Sequence, residues 1–322
     1  MGHSPPGGAR LDRDPETLRL RAAWLYFCHG RTQAAIATEL GISRSTVIRL
    51  LEDSRARGEV RFWIENRSAH SVALATALED RLAVREAIVV PSSVASPDGI
   101  AASIGLALGR LMSDAVGDGM TIGVGWGRTL SASLKAFQPP RLKGVRVLSL
   151  LGGTVETRAA NPTEFGWQLA SAMGADCFLF PAPLIVDSSQ TRRRLVEACG
   201  IGRLFELGAV LDLAIVSVGE VGPDSSSLSR TLIPEVEMAE LHAAGAVGDV
   251  MCRFIDAEGR EIDHPLRERV MALGLDALRG AGRTILASGG AHRAEAIRAA
   301  AACLHCDTLV TDEAAAEAIL AH

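Results

Sequence analysis

Three glycine-rich segments combine glycines with hydroxyl or cationic side chains. Glycine lets a backbone approach a ligand closely, and a helix that begins beside it offers N–H groups and a dipole that favour an anion. Three such segments predict a pocket for an anionic or polyhydroxyl ligand, rather than three unrelated tight turns. The predicted pocket residues are Gly125, Trp126, Gly127, Arg128 and Thr129 in the first segment, Gly152, Gly153 and Thr154 with the nearby Asn161 in the second, and Gly289, Gly290, His292 and Arg293 in the third.

Four acidic residues lie at or just past the ends of predicted strands, and we assign Asp249 to the same pocket. A carboxylate there would accept hydrogen bonds from sugar hydroxyls. Trp126 could stack on a sugar face, although packing in the core is an equally good prediction. His292 fits a pocket wall better than a catalytic base. The other three acidic residues are Asp187, Glu220 and Asp224.

Two signatures of nucleotide binding are missing from the sequence. The phosphate-loop pattern GxxxxGK[ST] does not occur, which argues against nucleotide hydrolysis. Gly123 and Gly125 begin a GxG pattern, but Arg128 stands where the third glycine of a dinucleotide fingerprint would be. We therefore predict no cofactor.

Apolar segments of strand length alternate with helical periodicity from about Ala87 onwards. This alternation predicts an α/β fold, with a mostly parallel sheet covered by helices on both faces. Ligands of such sheets bind beyond the carboxyl ends of the strands, and the glycine-rich segments follow the second, third and seventh predicted strands. The predicted strands are Ala87–Val90, Thr121–Val124, Val145–Leu150, Cys177–Leu179, Leu213–Val218, Val250–Phe254, Thr284–Ala287 and Thr308–Val310.

The N-terminal part of the chain carries a helix-turn-helix pattern. Asp14-Pro15-Glu16 begins a first helix, a second extends over Thr32–Leu40, and a third over about Arg44–Arg57. Ala37 is small where two helices would cross, and Gly41 can adopt the positive φ that the turn needs. An ordinary helical hairpin is the alternative interpretation.

Polar residues begin the third predicted helix, which is the end that enters the major groove in this motif. Ile42, Val47 and Leu50 are predicted to pack inward. Arginine suits guanine or phosphate, while serine and threonine suit phosphate or a thymine methyl group. The predicted DNA-contacting residues are Gln33, Ser43, Arg44, Ser45, Thr46 and Arg49.

The division of charge supports two domains. The 322 residues include 33 Lys and Arg against 38 Asp and Glu, which excludes a wholly basic nucleic-acid binder. Residues 10–67 hold 11 arginines and 8 acidic residues, so this segment carries +3 and the remainder −8. We predict a DNA-binding domain at residues 10–67 and an effector-binding domain at residues 68–322.

Neither a membrane span nor a secretion signal is apparent in the sequence. No apolar run reaches the length of a spanning helix, and residues 1–13 lack the apolar core of a signal peptide. These features predict a cytoplasmic protein without a membrane partner. Cys303 and Cys306 have CxxC spacing, but no second pair would complete four zinc ligands, so we predict core cysteines and no metal site.

The combination resembles the SorC family of bacterial sugar-responsive transcription regulators, and the resemblance covers about residues 18–320. The C-terminal part of the resemblance includes residues of the predicted pocket. The segments that carry the resemblance are Gln33–Leu51, Val124–Leu130, Gly152-Gly153 with Asn161, Gly245–Asp249 with Asp256–Arg260, and Gly289-Gly290 with Ala296-Ile297 and Leu309–Glu313.

The resemblance implies an effector domain similar to sugar-phosphate isomerases, which binds a sugar, a polyol or a sugar phosphate. It also implies a homo-oligomer, a dimer or a tetramer, that binds operator DNA of a carbohydrate or polyol catabolic operon as a repressor or an activator. By similarity, the effector site includes Arg128, Thr129, Gly152, Gly153, Asn161, Asp249, Gly289 and Gly290.

One position departs from the family pattern. Many members have lysine where this chain has Arg293. Arginine still suits a phosphate, but it forms no Schiff base with an aldehyde sugar, so a covalent effector is excluded there. The departure places a phosphorylated effector in doubt. The segment Ser288–Arg293 resembles that of polyol-type regulators, such as those of erythritol catabolism.

The alternative function is a sugar-phosphate isomerase or deaminase whose N-terminal helices only oligomerise. Asp249 and His292 would then be the acid and base candidates. The helix-turn-helix pattern weighs against an enzyme, as does the absence of a closely spaced acid–base pair. We therefore assign no catalytic residue and predict a regulator.

Overall fold

A computed structural model describes residues 14–60, 69–92, 96–154, 161–222 and 232–321. The chain divides into two compact units between Asn66 and Arg67. The domain boundary expected between residues 67 and 68 lies outside the described residues, and so does Asp224. Each unit is described by itself.

Residues 14–60, the described part of the first unit, form three helices, and each follows a polar residue whose side chain caps it. α1 spans Pro15–Phe27, α2 spans Gln33–Leu40 and α3 spans Arg44–Ala56. A side-chain oxygen of each capping residue accepts a hydrogen bond from the backbone N–H three residues further on, which satisfies one otherwise unpaired donor. The capping residues are Asp14, Thr32 and Ser43.

The turn between α2 and α3 depends on Gly41, whose φ of 66° lies in the left-handed region. Behind the turn, Ile36, Val47 and Leu50 are buried in one apolar cluster, and Ile42 packs against it. The predicted inward face of the motif is therefore confirmed. The N-terminal turn of α3 is left on the surface.

The described residues of the second unit form ten strands. They are β1 (Glu86–Val90), β2 (Thr121–Val124), β3 (Arg146–Gly153), β4 (Asp176–Pro183), β5 (Leu213–Val216), β6 (Gly219–Glu220), β7 (Gly248–Val250), β8 (Arg253–Ile255), β9 (Arg283–Ala287) and β10 (Thr308–Asp312). Its α-helices are α4 (Ala69–Leu82), α5 (Pro97–Ala115), α6 (Arg128–Ser133), α7 (Pro162–Met173), α8 (Ser189–Ala198), α9 (Gly202–Gly208), α10 (Glu235–Ala243), α11 (Leu275–Arg279), α12 (Ala294–Leu304) and α13 (Glu313–Leu320).

Seven strands form one parallel sheet in the order β1-β10-β9-β5-β2-β3-β4. Successive residues of a strand point to opposite faces, so Val147 joins one buried apolar cluster and Leu148 the other. Ile285 and Leu286 divide in the same way. The α/β fold predicted from the alternation is confirmed, and the carboxyl ends of all seven strands meet along one edge.

A second, smaller sheet was not expected from the sequence. β6, β7 and β8 pair antiparallel, and the single strand predicted over Val250–Phe254 is wrong. The chain reverses there at Met251 and Cys252, which have φ of 57° and 59°. This conformation usually selects glycine or asparagine, and neither stands at these two positions, so the residues carry no turn signal. Before α11 begins, Ala272 forms an isolated antiparallel bridge with Leu151.

Close packing of α5 against α6 determines where the first glycine-rich segment lies. A Cβ added to Gly105 would lie 2.6 Å from the Cβ of Ala132, and one added to Gly109 would lie 2.2 Å from the carbonyl oxygen of Ser133. Real Cβ atoms do not approach other atoms so closely. The two glycines therefore allow α6, which begins at Arg128, to lie directly on α5.

Among the described residues, none of the helices combines the length and apolar character needed to cross a membrane.

We expect Gly109→Ala to lower the free energy of unfolding by about 1–3 kcal/mol, because overpacking forces the two helices apart. The loss would occur although alanine favours a helix more than glycine does. Urea denaturation of the full chain measures it. Gly274→Ala is the matched control, because no atom lies within 4 Å of the added Cβ. Equal stability of the two variants would show that α6 does not depend on Gly109.

Candidate functional site

A cleft lies beyond the carboxyl ends of β2 and β5 and encloses about 480 Å³, part of it open to solvent. Six residues that the sequence predicted for the ligand pocket come together there. Four further lining residues were not predicted: Ala101, Ser217, Val218 and Gly219. The predicted ones are Trp126, Gly127, Arg128, Thr129, Asp249 and Arg293.

The first glycine-rich segment connects β2 to α6 along one wall of the cleft. The Gly125 N–H donates to the carbonyl of Ile215 at 2.9 Å, which fixes the segment to β5. Gly127 then adopts a φ of 131°, a conformation that an L side chain rarely adopts, and α6 begins at the next residue. Thr129 is buried, and a guanidinium nitrogen of Arg128 lies 3.9 Å from the Asp98 carboxylate.

Asp249 is presented by the hairpin of β7 and β8. Its side chain is 3% exposed, and its Oδ2 accepts a hydrogen bond from the Cys252 N–H at 2.9 Å. This bond holds the positive-φ turn against the carboxylate. Burial raises the pKa of the Cys252 thiol well above its usual value, and the Asp249 charge adds to the effect. The thiol therefore stays protonated and gives the cleft no negative charge.

The third glycine-rich segment brings Arg293 to the cleft after a short 3-10 turn. The Arg293 Nε donates to the Glu220 carboxylate at 2.5 Å, and both side chains are largely buried. The Gly290 N–H donates to Asp312 at 2.8 Å. Gly289 lies so near the same carboxylate that an added Cβ would be 2.5 Å from its oxygen.

Residues of the second glycine-rich segment connect and cap elements of the fold, and they do not line the cleft. The Gly152 N–H donates to the Met271 carbonyl at 2.7 Å, which connects β3 to the chain before α11. The Asn161 side chain donates to the Thr154 carbonyl and accepts from the Thr163 N–H, so it caps α7. A Cβ on Gly153 would lie 2.9 Å from the Thr163 hydroxyl.

His292 is also placed away from the cleft lining. It lies in a neighbouring depression with Glu295, Arg298 and Ala318. Its ring is half exposed, with Nε2 at 3.8 Å from a Glu220 oxygen. The acid and base candidates of the enzyme hypothesis, Asp249 and His292, therefore do not face one cleft.

Three of the four missed lining residues carry a sequence signal of the same kind as the predicted ones, and the fourth, Ala101, lies within α5. Ser217-Val218-Gly219-Glu220 directly follows β5, so a hydroxyl, a glycine and a carboxylate stand at a strand end. The strand predicted over Leu213–Val218 included Ser217 and Val218, so these two residues were not assigned to a loop. The actual strand ends at Val216, because Ser217 and Val218 turn toward the small sheet.

The predicted DNA-contacting residues form one polar surface at the start of α3. Arg44, Ser45 and Arg49 are exposed, and Thr46 is half-buried. Nε and one terminal nitrogen of Arg44 each lie 3.4 Å from the Gln33 amide oxygen, which joins α2 to this surface. The Ser43 hydroxyl caps α3 and contacts the hydroxyls of Ser45 and Thr46, each at 2.8 Å.

The two cysteines with CxxC spacing are core residues. Cys303 and Cys306 are buried, and the Cys306 thiol contacts the Thr308 carbonyl at 3.1 Å. Burial raises the pKa of Cys306 to about 12. Within the described ranges, no group of three or more His, Cys, Asp or Glu side chains is arranged to hold a metal ion.

Each of the two units matches a protein-family model. A model described as "Putative sugar-binding domain" matches residues 66–321. A model described as "Homeodomain-like domain" matches residues 15–62. Together they account for the cleft-bearing unit and for the three-helix unit.

Similar proteins match over nearly the whole chain. The "Deoxyribonucleoside regulator" of Bacillus subtilis (strain 168) is 30% identical over 96% of this chain and 99% of its own. The "Erythritol catabolism regulatory protein EryD" of Brucella abortus (strain 2308) is 29% identical over 95% of this chain and 96% of its own. The crystal structure of the full-length sorbitol operon regulator SorC from Klebsiella pneumoniae superposes with a TM-score of 0.71, at 26% identity, covering 94% of this chain and 98% of that one.

These relatives are transcriptional regulators and not enzymes, which confirms the prediction of a DNA-binding regulator. The isomerase or deaminase alternative finds no support among them. The order of the two units, the seven-stranded parallel sheet and the helix-turn-helix all agree with this assignment. The chain belongs to the SorC family of sugar-binding bacterial transcriptional regulators.

Proposed function

We propose that this protein regulates a carbohydrate or polyol catabolic operon by binding operator DNA through α3 and a sugar-like effector in the cleft. One observation carries the effector part of the proposal: Arg128, Asp249 and Arg293 come from distant parts of the chain and line one cleft at the carboxyl edge of the sheet. This edge is where α/β sheets bind ligands.

In the DNA-binding unit, the surface of Arg44, Ser45 and Arg49 would enter the major groove at the N-terminal end of α3. Arginine can donate two hydrogen bonds to one guanine, and hydroxyls near a helix N-terminus can donate to phosphates. The Gln33 side chain, in contact with Arg44, would orient the guanidinium or contact the DNA itself.

Control by the effector requires two states of the protein that bind it with different affinities. A ligand that bound both states equally would leave operator binding unchanged. We infer that the effector makes its differential contacts through two parts of the cleft lining, Trp126–Thr129 and Asp249 of the β7–β8 hairpin, because the two lie far apart in sequence and meet at the cleft.

We further propose that the protein is a cytoplasmic homo-oligomer, a dimer or a tetramer. A two-fold symmetric assembly presents two copies of α3 to the two half-sites of a palindromic operator. The mass of the 33.9 kDa chain in solution tests this directly. Light scattering after size exclusion should give two or four times that mass, and a single-chain mass at micromolar concentration would contradict the assembly.

We expect Arg44→Ala and Arg49→Ala each to weaken binding to the selected operator by roughly tenfold or more, because a bidentate base contact is worth about 1–3 kcal/mol. DNA selected from a random pool by the wild-type protein serves as the operator, and fluorescence anisotropy at fixed salt gives the affinity. Arg260→Ala removes the same charge from an arginine side chain that is 76% exposed in the other unit, and should bind normally. Normal binding by both α3 variants would show that the recognition helix is misassigned.

We expect Asp249→Asn to lower effector affinity by about tenfold or more, since a charged acceptor of hydroxyl hydrogen bonds is lost. Thermal shift of the full chain against sugars, polyols and their phosphates identifies a ligand, because a compound at a hundred times its Kd stabilises by about 2.7 kcal/mol. Asp263→Asn is the control, because its side chain is 94% exposed. Equal affinity of the two variants would remove Asp249 from the site.

A further inference from the structure

Large apolar side chains are exposed along one face of α1. Leu20 is 44% exposed and Trp24 is 55% exposed. Phe27 lies one turn further along the helix and is half-buried. Spacings of four and three residues place the three side chains on the same face of a helix. We call Leu20, Trp24 and Phe27 the α1 stripe.

The other face of α1 belongs to the core of the first unit. Ala22 and Leu25 are buried in the apolar cluster that α1 shares with α2 and α3. Arg19 donates two hydrogen bonds to Glu59, which joins α1 to the residues that follow α3. These contacts hold α1 in place from one side, and the α1 stripe lies on the other side.

An exposed stripe of this kind is typical of a helix that packs against another helix. Single exposed apolar residues are ordinary on protein surfaces. A leucine and a tryptophan one turn apart differ from that case, because together they form a continuous apolar surface along the helix. Tryptophan is also enriched among the residues that dominate the energies of protein interfaces. The α1 stripe therefore fits a contact with a second helix.

The two ends of the α1 stripe carry opposite charges. Glu16 is exposed one turn before Leu20, at the N-terminal end. At the other end, the Arg55 guanidinium lies over the Phe27 ring, 5.2 Å from its centre. Glu16 and Phe27 are 11 residues apart, which is about 16 Å along a helix. Glu16 and Arg55 of one chain are therefore too far apart to form an ion pair with each other.

This order of charges complements itself about a two-fold axis. A two-fold axis across the stripe places two copies of α1 antiparallel, so that the same surface of each copy contacts the other. Glu16 of one copy then lies at the Arg55 end of the second copy, and the pairing occurs twice. Two parallel copies would instead bring like charges together, which is unfavourable.

We propose that the DNA-binding units of two copies of this chain contact each other through the α1 stripe, with the two α1 helices antiparallel. The inference rests on the proposed function, because that function requires two copies of α3 on one operator. The contact can be small, since the proposed homo-oligomer already holds the copies together and gives the two units a high effective concentration.

The proposed contact does not overlap the predicted DNA-binding surface. Phe27 of the stripe meets α3 at Arg55, near the C-terminal end of α3, whereas the predicted DNA contacts of α3 begin at Arg44. Arg44 and Arg55 are also 11 residues apart, about 16 Å along a helix. One unit can therefore bind DNA with the start of α3 and a second unit with α1.

The test measures binding of the full-length chain to two DNA duplexes by fluorescence anisotropy. One duplex carries the complete operator selected from a random pool, and the other keeps one half-site and has the second scrambled. We expect Trp24→Ala to lower the ratio of the two affinities by about tenfold, because a bound unit no longer helps the second to bind. Affinity for the single half-site should stay within about twofold of the wild-type value, since Trp24 lies outside the DNA-binding surface.

Two controls separate the proposed contact from a general defect. Trp24→Phe keeps an aromatic side chain and should retain most of the ratio. Trp167→Ala removes a tryptophan that is 60% exposed in the other unit, and it should leave the ratio unchanged. A merely structural role of Trp24 would weaken binding to both duplexes alike and leave their ratio at the wild-type value.

Reversal of charge identifies the second surface. Glu16→Arg and Arg55→Glu each place like charges together in the antiparallel pair, so each should lower the ratio. The double variant restores opposite charges between the two copies and should recover most of it. Because the two residues lie too far apart to pair within one chain, only a second copy can produce this recovery.

The outcomes separate the inference from the proposed function. An unchanged ratio in Trp24→Ala, or a double variant no better than either single reversal, overturns the α1 contact and leaves the proposed regulator standing. Equal affinity of the wild-type chain for the two duplexes contradicts both the α1 contact and the two-fold assembly on the operator. Failure of the wild-type chain to select any DNA contradicts the proposed function itself.

Discussion

Parallel pairing of seven strands constrains where the second unit can place polar groups. The inner strands of the large sheet are buried on both faces, so the interior accepts apolar side chains and polar residues collect where strands end. Parallel order brings these ends to one edge. The cleft, the Arg293 and Glu220 pair and the buried Asp249 all lie beyond strand ends or in the small sheet that continues from β5.

The same constraint explains how one fold can be shared by regulators of different systems. Two relatives of nearly equal identity are named for a deoxyribonucleoside and for erythritol catabolism. The sheet and its helices can stay constant while a few polar residues at its edge change. In this chain the charged residues that line the cleft at this edge are Arg128, Arg293 and Asp249.

Local sequence predicted most of the secondary structure correctly, because the signals were local. The strand Thr121–Val124 was predicted at its observed limits. The caps of α2 and α3 and the left-handed Gly41 follow from residue type alone. The β7–β8 hairpin was missed because Met251 and Cys252 have positive φ without a glycine, and the surrounding fold, including the Asp249 carboxylate, holds them there.

The sequence by itself determined the fold class, the helix-turn-helix and the residue types available to bind DNA and a polyhydroxyl ligand. Tertiary structure decided which of them meet. Glycine-rich segments that look alike in sequence have different roles in the folded protein. The segment after β3 caps a helix and connects elements, whereas the segments after β2 and β9 contribute residues to the cleft. Pairing of Arg293 with Glu220 joins residues 73 positions apart, and an electrostatic contact at that separation depends on the folded path of the chain and not on local propensity.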